Sequence, residues 1–208
     1  MYLQITTRCN MTCEHCCNSC TEDGEDMSLE VFRAALLESG WDYVMIGGGE
    51  PTLHPLFWQF LGESIAEAEG VWLATNGSQT NIALALAKMA QKGVIGCALS
   101  QDIYHDPIED SVVEAFTQNR SQEFRRHEED SREIRDVTSK EINAGRCDFG
   151  DEDRCVCSGI IVKPNGDIHG CGCDDAPKLG TVFSPEIPEG WDSNECHKEQ
   201  EELAVMAS

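Results

Sequence analysis

Three cysteines near the start of the chain have the clearest chemical potential of any residues in the sequence. Cys9, Cys13 and Cys16 lie in the segment "CNMTCEHC", with three residues between the first two and two between the last two. A closed structural zinc site normally has four ligands, so three thiolates are too few for one. Three thiolates suit a [4Fe–4S] cluster in which one iron has no protein ligand. Such an iron can hold a small molecule through an amine and a carboxylate.

Two further cysteines, Cys17 and Cys20, overlap this group and leave a second interpretation open. Together with Cys13 and Cys16 they could form a zinc knuckle, which would need all four thiolates to converge on one ion. Adjacent Cys16 and Cys17 point in different directions on any regular backbone, which makes that convergence awkward. We therefore predict that Cys17 and Cys20 are packing or spare thiols.

Elements that alternate along the first hundred residues must position these cysteines. Apolar strands such as "YLQIT", "YVMIGG" and "VWLAT" alternate with amphipathic helices, the first of which is predicted to be capped by Ser28 and to stop at Gly40. Strands that are apolar on both faces and separated by helices are typical of a parallel α/β sheet or barrel. The run "GGGEP" then lies at the carboxyl end of the second strand, on the face where parallel barrels bind ligands.

The amino-acid composition of the sequence changes near residue 145. A charged segment that includes the possible fifth strand "EIRDVTS" is followed by a region rich in Cys, Gly and Asp. Within it, "IIVKPNGDIHGC" predicts a β-hairpin with its turn at "PNGD". We predict an α/β fold with a compact partial (β/α) barrel over residues 1–145. A small Cys-rich hairpin subdomain and an acidic tail are predicted over residues 146–208.

The order "CNMTCEHC" then "GGGEPTLHP" resembles the radical S-adenosylmethionine (radical SAM) superfamily. The family motif is Cys-x-x-x-Cys-x-aromatic-Cys, followed by a strand that ends in Gly-Gly-Glu. The resemblance covers roughly residues 1–105, and it implies that Cys9, Cys13 and Cys16 ligate the catalytic [4Fe–4S] cluster. Its open iron would chelate SAM, and reduction would cleave SAM to methionine and a 5′-deoxyadenosyl radical.

The same resemblance implies a SAM site at the ends of the first four strands. His15 occupies the aromatic position of the motif and could lie near adenine, while Ser100 and Asp102 could hydrogen-bond the ribose hydroxyls. Glu50 is expected to brace its loop rather than perform acid–base chemistry. The residues predicted to line SAM are His15, Gly48, Gly49, Glu50, Thr75, Asn76, Ser100 and Asp102.

A second group of cysteines resembles the auxiliary-cluster region, called SPASM or twitch, of radical SAM enzymes. The matching stretch is "CSGIIVKPNGDIHGCGC" followed by "LGTV". The resemblance implies one auxiliary [4Fe–4S] cluster, hence two clusters in all, and a zinc ribbon is the alternative. Four of five candidates would hold the auxiliary cluster: Cys147, Cys155, Cys157, Cys171 and Cys173.

The net charge and the composition of the chain restrict the classes of molecule that the protein is expected to bind. The net charge of -23 disfavours tight binding to bare nucleic acid. Seven of the 15 Lys and Arg residues nevertheless lie between Arg120 and Arg146 and could form a docking face. Neither a signal peptide nor an apolar run of about 20 residues is visible. We therefore expect a cytoplasmic protein with reduced thiols and without membrane contact, supplied with electrons by a flavodoxin- or ferredoxin-like donor.

The sequence as a whole predicts a radical SAM enzyme. It is expected to remove hydrogen from an unactivated carbon of an amino-acid-like group on a peptide or other large substrate, with epimerisation, cross-linking or rearrangement as the result. One alternative is modification of a nucleotide or a hypermodified DNA base. Another is a zinc-stabilised binding module without catalysis. His105 and Tyr104 could meet substrate, His54 is interpreted as a turn residue, and Cys97 as a packing residue.

Overall fold

The computed structural model describes residues 1–38, 40, 43–118, 130–136, 159–189 and 191 of the chain. Within them, strands and helices alternate up to the fifth strand, and short strands follow. The helices are α1 (Leu29–Glu38), α2 (Phe57–Glu67), α3 (Thr80–Gln91) and α4 (Asp110–Thr117), with a short 3-10 turn at Pro51–Leu53. The first five strands are β1 (Tyr2–Thr6), β2 (Tyr43–Gly48), β3 (Gly70–Thr75), β4 (Gly96–Ser100) and β5 (Arg132–Arg135). The remaining strands are β6 (Ile161–Val162), β7 (Asp167–His169), β8 (Lys178–Thr181) and β9 (Ser184–Pro185).

All nine described strands belong to one open sheet, in the order β5-β4-β3-β2-β1-β6-β7-β8-β9. The strands from β5 to β1 pair in parallel, and β6 extends this parallel part on the far side of β1. Strands β7, β8 and β9 then continue the sheet antiparallel. Six parallel strands therefore carry their carboxyl ends to the same edge, as expected for a partial barrel.

The local sequence explains why these elements form. The Ser28 hydroxyl accepts a hydrogen bond from the backbone N–H of Val31, which confirms the predicted cap of α1. Helices α1 and α2 contact each other through the stacked rings of Phe32 and Phe60, whose centroids are 4.0 Å apart. The main core also contains fully buried side chains from each of the first four strands: Leu3, Ile5, Val44, Ile46, Leu73, Cys97 and Leu99.

The predicted hairpin is confirmed, but it is joined to the barrel sheet. Strands β6 and β7 flank a turn in which Gly166 has a φ of +89°. Parallel pairing of Tyr2 and Leu3 with Ile161 and Val162 attaches the hairpin to β1. Residues 159–189 therefore continue the main sheet and share its core. The predicted division near residue 145 lies outside the described residues.

Within the part of the chain that the structure describes, no helix is long and apolar enough to cross a bilayer.

Candidate functional site at the carboxyl ends of the parallel strands

A loop of residues 7–27, here called the cysteine loop, connects β1 to α1. The second half of this loop runs back beside its first half. The backbone N–H of Thr7 bonds to the carbonyl of Glu25, and that of Cys9 bonds to the carbonyl of Thr21, each at 2.8 Å. The N–H of Met27 then bonds to the carbonyl of Ile5 in β1. These bonds hold the five cysteines of the loop over the end of β1.

The three predicted ligands lie together in a small apolar cluster. Cys9 is buried and Cys13 and Cys16 are half-buried, with Met11 and Ile108 packed against them. Burial raises the pKa of the Cys13 thiol to about 11, and the nearby Cys9 and Cys16 thiolates act in the same direction. Thiolates in one buried cluster repel each other, and a bound cationic iron centre would remove that repulsion. The donor set therefore fits the predicted cluster.

The zinc-knuckle geometry is not found among the described residues. Four thiolates on one zinc lie roughly 4 Å apart because each Zn–S bond is about 2.3 Å long. The described part of the chain holds one group of three or more metal-binding side chains whose ligand atoms all lie within 4.8 Å, and it contains no cysteine. Cys20 is buried, and its hydrogen bond with Cys16 raises the pKa of its thiol, as burial also does.

The glycine run after β2 contacts the cysteine loop directly through its backbone. The N–H of Gly49 bonds to the carbonyl of Thr6, and the N–H of Glu50 bonds to that of Arg8, each at 2.9 Å. A Cβ atom on Gly49 would lie 2.2 Å from the Arg8 carbonyl oxygen, so the two backbones could not approach this closely with any other residue there. The side-chain amide of Asn18 also donates to the Gly48 carbonyl.

Glu50 is a buried carboxylate that joins the loop after β2 to the end of β3. Its Oε1 accepts hydrogen bonds from the N–H and hydroxyl of Thr52 and from the Thr75 hydroxyl. Its Oε2 accepts one from the Asn76 N–H at 2.6 Å. Burial raises the pKa of this carboxyl, although the four hydrogen bonds act in the opposite direction. Glu50 thus contributes to the shape of the site through the loop it fixes.

Sequence reasoning missed a polar connection between the cysteine loop and β3. The amide of Asn76 donates to Asn10 Oδ1 at 3.1 Å and lies 3.9 Å from Cys9 Sγ. The Ser78 hydroxyl donates to the same Asn10 oxygen. Asn10 lies inside the cysteine motif, directly after Cys9, and this position was the signal in the sequence that could have identified it as a site residue. The two asparagines fix the Cys9 side of the site against the end of β3.

The loop after β4 gathers four of the residues singled out from the sequence. Asp102 has a fully buried side chain whose Oδ1 lies 2.7 Å from His105 Nδ1 and whose Oδ2 lies 3.8 Å from His15 Nε2. The ring of Tyr104 lies 4.6 Å from that of His15. Burial lowers the pKa of His15, while Asp102 acts to raise it. The predicted SAM neighbours His15 and Asp102 are therefore neighbours of each other.

A pocket of about 400 Å³ opens beside this group, between the loops that follow β3 and β4. Its lining is polar apart from two side chains, and it comprises Ser78, Thr80, Pro107, Ile108, Glu109 and Asp110. Ile108 also packs against the cysteine cluster. The pocket therefore adjoins the cysteine cluster through Ile108.

Two other residues considered from the sequence, His54 and Cys97, have structural roles in the fold. The Nε2 of His54 lies 3.0 Å from the Met27 carbonyl oxygen, and its Nδ1 lies 3.0 Å from the N–H of Leu56. Both ring nitrogens thus form hydrogen bonds with backbone groups, in agreement with the turn role predicted for His54. Cys97 is buried inside β4 as a packing residue, and burial raises the pKa of its thiol.

Of the five auxiliary candidates, the structure describes two. Cys171 is buried after β7, and the N–H of Cys173 lies 3.5 Å from its Sγ. Cys147, Cys155 and Cys157 lie outside the described residues, so the auxiliary ligand set stays a prediction.

Comparison with known proteins identifies similar sequences. A family model described as the radical SAM superfamily matches residues 3–137, well over half of the chain. Mycofactocin maturase MftC of Mycobacterium ulcerans is 31% identical over 118 residues, which cover 52% of this chain and 30% of the relative. The tungsten-containing aldehyde ferredoxin oxidoreductase cofactor-modifying protein of Pyrococcus furiosus is 33% identical over 109 residues, which cover 50% of this chain and 30% of the relative. The matched segments thus span less than a third of the length of these relatives.

Proposed function

The chain belongs to the radical SAM superfamily, and from that premise we propose that it reductively cleaves SAM and removes hydrogen from a carbon of an amino-acid-like group on a peptide or other large substrate. Members of this superfamily use a [4Fe–4S] cluster and SAM. The observation that carries the proposal is the cysteine loop, which places three thiols beside the glycine run at the carboxyl ends of β1 and β2.

In this proposal Cys9, Cys13 and Cys16 hold the catalytic cluster. The bound cluster and SAM together supply a 5′-deoxyadenosyl radical, the species that takes a hydrogen atom from an unactivated carbon. Asn76 lies close enough to Cys9 for a weak N–H···S contact, and such contacts influence the reduction potential of an iron–sulfur centre. The apolar side chains of Met11 and Ile108 limit the access of water to the thiols.

The glycine run would provide the surface against which the methionine end of SAM binds. Gly48 and Gly49 allow close approach of a ligand because they lack side chains. Thr75 and Asn76 end β3 on the same edge, and Glu50 holds both in place. Ser100, at the end of β4, is the proposed ribose contact. His15 and Asp102 stay predicted SAM neighbours on sequence grounds.

The names of two relatives support a reaction that modifies another molecule. One is called a maturase and another a cofactor-modifying protein, and both names describe the modification of another molecule. Epimerisation, cross-linking and rearrangement remain the proposed outcomes. The alternative substrate, a nucleotide or DNA base, would need the basic residues between 120 and 146 as its docking face, and most of these residues lie outside the described part of the chain.

Replacement of Cys13 by Ala tests the proposal. The anaerobically reconstituted wild-type protein should contain about eight irons per chain, four for each of two clusters. With a strong reductant it should convert SAM to 5′-deoxyadenosine, measured by chromatography. Cys13→Ala should lose about four irons and lower the product at least about 100-fold, because loss of a ligand costs more than loss of its supporting contacts.

The matched control is Cys17→Ala, which removes a neighbouring thiol that is not a proposed ligand. It should keep both the iron content and the cleavage of SAM. Undiminished 5′-deoxyadenosine formation by Cys13→Ala would overturn the ligand assignment. A colourless wild-type protein with stoichiometric zinc would support the non-catalytic binding module instead.

A further inference from the structure

From the group formed by His15, Asp102 and His105 we infer a second metal site, which binds a divalent transition ion such as Zn²⁺ through two imidazoles and one carboxylate. One ligand atom from each residue lies within 4.8 Å of the other two, and no other described residues form such a group. Two histidines and one carboxylate are a donor set that proteins use for Zn²⁺ and for non-haem Fe²⁺. This inference goes beyond the proposed function and does not depend on it.

The distances within the group suit ligands of one ion. Tetrahedral zinc with bonds of about 2.0–2.2 Å places neighbouring ligand atoms roughly 3.3–3.6 Å apart. The two carboxylate oxygens of Asp102 make separate contacts, Oδ1 at 2.7 Å from His105 Nδ1 and Oδ2 at 3.8 Å from His15 Nε2, and these distances lie on either side of that spacing. The longer contact exceeds the length of a hydrogen bond, so these two groups are neighbours without a direct bond. The ligand atoms of His15 and His105 lie within 4.8 Å of each other, so shifts of about 1 Å would bring the three side chains to the spacing of ligands on one ion.

Burial and local contacts fix the three side chains in advance. The Asp102 side chain is fully buried, while those of His15 and His105 are only 15% and 13% exposed. The N–H of Tyr104 donates to Asp102 Oδ1 at 2.9 Å and orients the carboxylate. The His15 ring packs against the rings of Tyr104 and His105, with centroid distances of 4.6 Å and 5.2 Å. Its Nδ1 is buried and has no hydrogen-bond partner among the described residues.

The site lies beside the proposed catalytic cluster in the sequence of the cysteine loop. His15 stands between Cys13 and Cys16 in the cysteine loop, and Asp102 and His105 come from the loop after β4. An ion with three protein ligands keeps an open position, as in catalytic zinc sites. A carboxylate or phosphate oxygen of the substrate is the group that such a position binds. The inference assigns Asp102 to the ion in place of the predicted ribose contact.

Zinc binding to the cluster-loaded protein tests this assignment. The clusters must be in place because vacant cysteines would themselves take zinc. After incubation with Zn²⁺ and desalting, the wild type should retain about one zinc per chain with its iron content unchanged. Competition with a chromophoric chelator should show at least about tenfold weaker binding for His105→Ala and for Asp102→Asn.

The matched control is Asp106→Asn, which removes an exposed carboxylate next to His105 and should leave zinc affinity unchanged. Equal zinc affinity in all four proteins, or no zinc in the wild type, would overturn the assignment. So would an Asp102→Asn protein that binds SAM more weakly but retains zinc, since Asp102 would then hold the ribose.

Zinc-edge X-ray absorption of the wild type provides a test that no variant's folding can affect. The inference predicts nitrogen and oxygen scatterers at about 2.0–2.2 Å and no sulfur at about 2.3 Å. Sulfur scatterers would place the ion on cysteines and contradict the assignment. The zinc content does not depend on SAM cleavage, so failure of this inference and failure of the proposed function are distinguishable.

Discussion

Glu50 shows how a single residue organises the site without performing its chemistry. Its two oxygens accept four hydrogen bonds from Thr52, Thr75 and Asn76, and they are shielded from water. A carboxylate is the side chain that accepts from several donors at once, whereas an amide would present an N–H group to one of them. Position 50 therefore requires a side chain that only accepts hydrogen bonds, in addition to one of this size and shape.

Replacement of Glu50 by Gln should lower the free energy of unfolding by about 1–3 kcal/mol because a buried donor then faces another donor. Urea denaturation of the cluster-loaded protein measures this change. Glu67→Gln, on the exposed side of α2, is the control and should change stability by less than about 0.5 kcal/mol. Equal stability of the two variants would show that the four hydrogen bonds contribute little.

At the scale of elements, the close approach of two backbones determines where the cysteines lie. The loop after β2 pairs with the start of the cysteine loop through the bonds from Gly49 to Thr6 and from Glu50 to Arg8. The added Cβ of an alanine at position 49 would overlap backbone atoms of Arg8, which cannot rotate away as a side chain can. The pairing thus depends on a residue without a side chain.

Replacement of Gly49 by Ala should destabilise the fold by about 1–3 kcal/mol or more and lower the iron content of the reconstituted protein. Gly62→Ala is the matched control, because open space surrounds Gly62 on the exposed side of α2. That variant should gain about 0.5–1 kcal/mol from a better helix former. Iron content and urea denaturation report both effects. An unchanged iron content in Gly49→Ala would argue against the importance of the close approach.

Elements with strong local signals could be predicted from the sequence. The alternation of apolar strands and amphipathic helices predicted β1 to β4 and their helices, Ser28 marked the start of α1, and "PNGD" marked the hairpin turn. Strand β5 was only a possibility because a charged segment gives a weak strand signal. The pairing of β6 with β1 was missed, since the paired residues are 159 positions apart in the sequence and no local pattern encodes the contact.

The site was predictable where a motif is contiguous and was missed where separate loops meet. The cysteines and the glycines could be identified because each group forms a short, contiguous motif. Both motifs follow a parallel strand, so parallel topology predicts that they meet at the same edge of the sheet. The contact between Asn10 and Ser78 and that between His15 and Asp102 join distant parts of the chain. Such pairs depend on how the loops lie, which the sequence pattern does not specify.

At the scale of the whole molecule, the hairpin and the barrel form one body in the part of the chain that the structure describes. Ile168 of β7 and Val162 of β6 are fully buried in the same core as the barrel strands. Since β6 also covers the edge of β1, the hairpin protects backbone groups that would otherwise be exposed. The two regions should therefore unfold together.

Replacement of Ile168 by Ala should lower the stability of the whole fold by about 2–5 kcal/mol, through the loss of buried contacts and the cavity left behind. Circular dichroism in urea should show one transition that moves to lower denaturant concentration. Phe183→Ala, at a largely exposed position in the turn after β8, should leave the midpoint nearly unchanged. Two transitions, with the larger one unaffected, would indicate that the hairpin is an independent unit.

The most direct test of the central claim is the electron paramagnetic resonance spectrum of the reduced, cluster-loaded protein with and without SAM. If Cys9, Cys13 and Cys16 leave one iron open for SAM, addition of SAM should shift the g-values of a [4Fe–4S]¹⁺ signal. The SAM-sensitive signal should disappear in Cys13→Ala. A wild-type spectrum that SAM leaves unchanged would contradict the account, because no iron would then be available to the ligand.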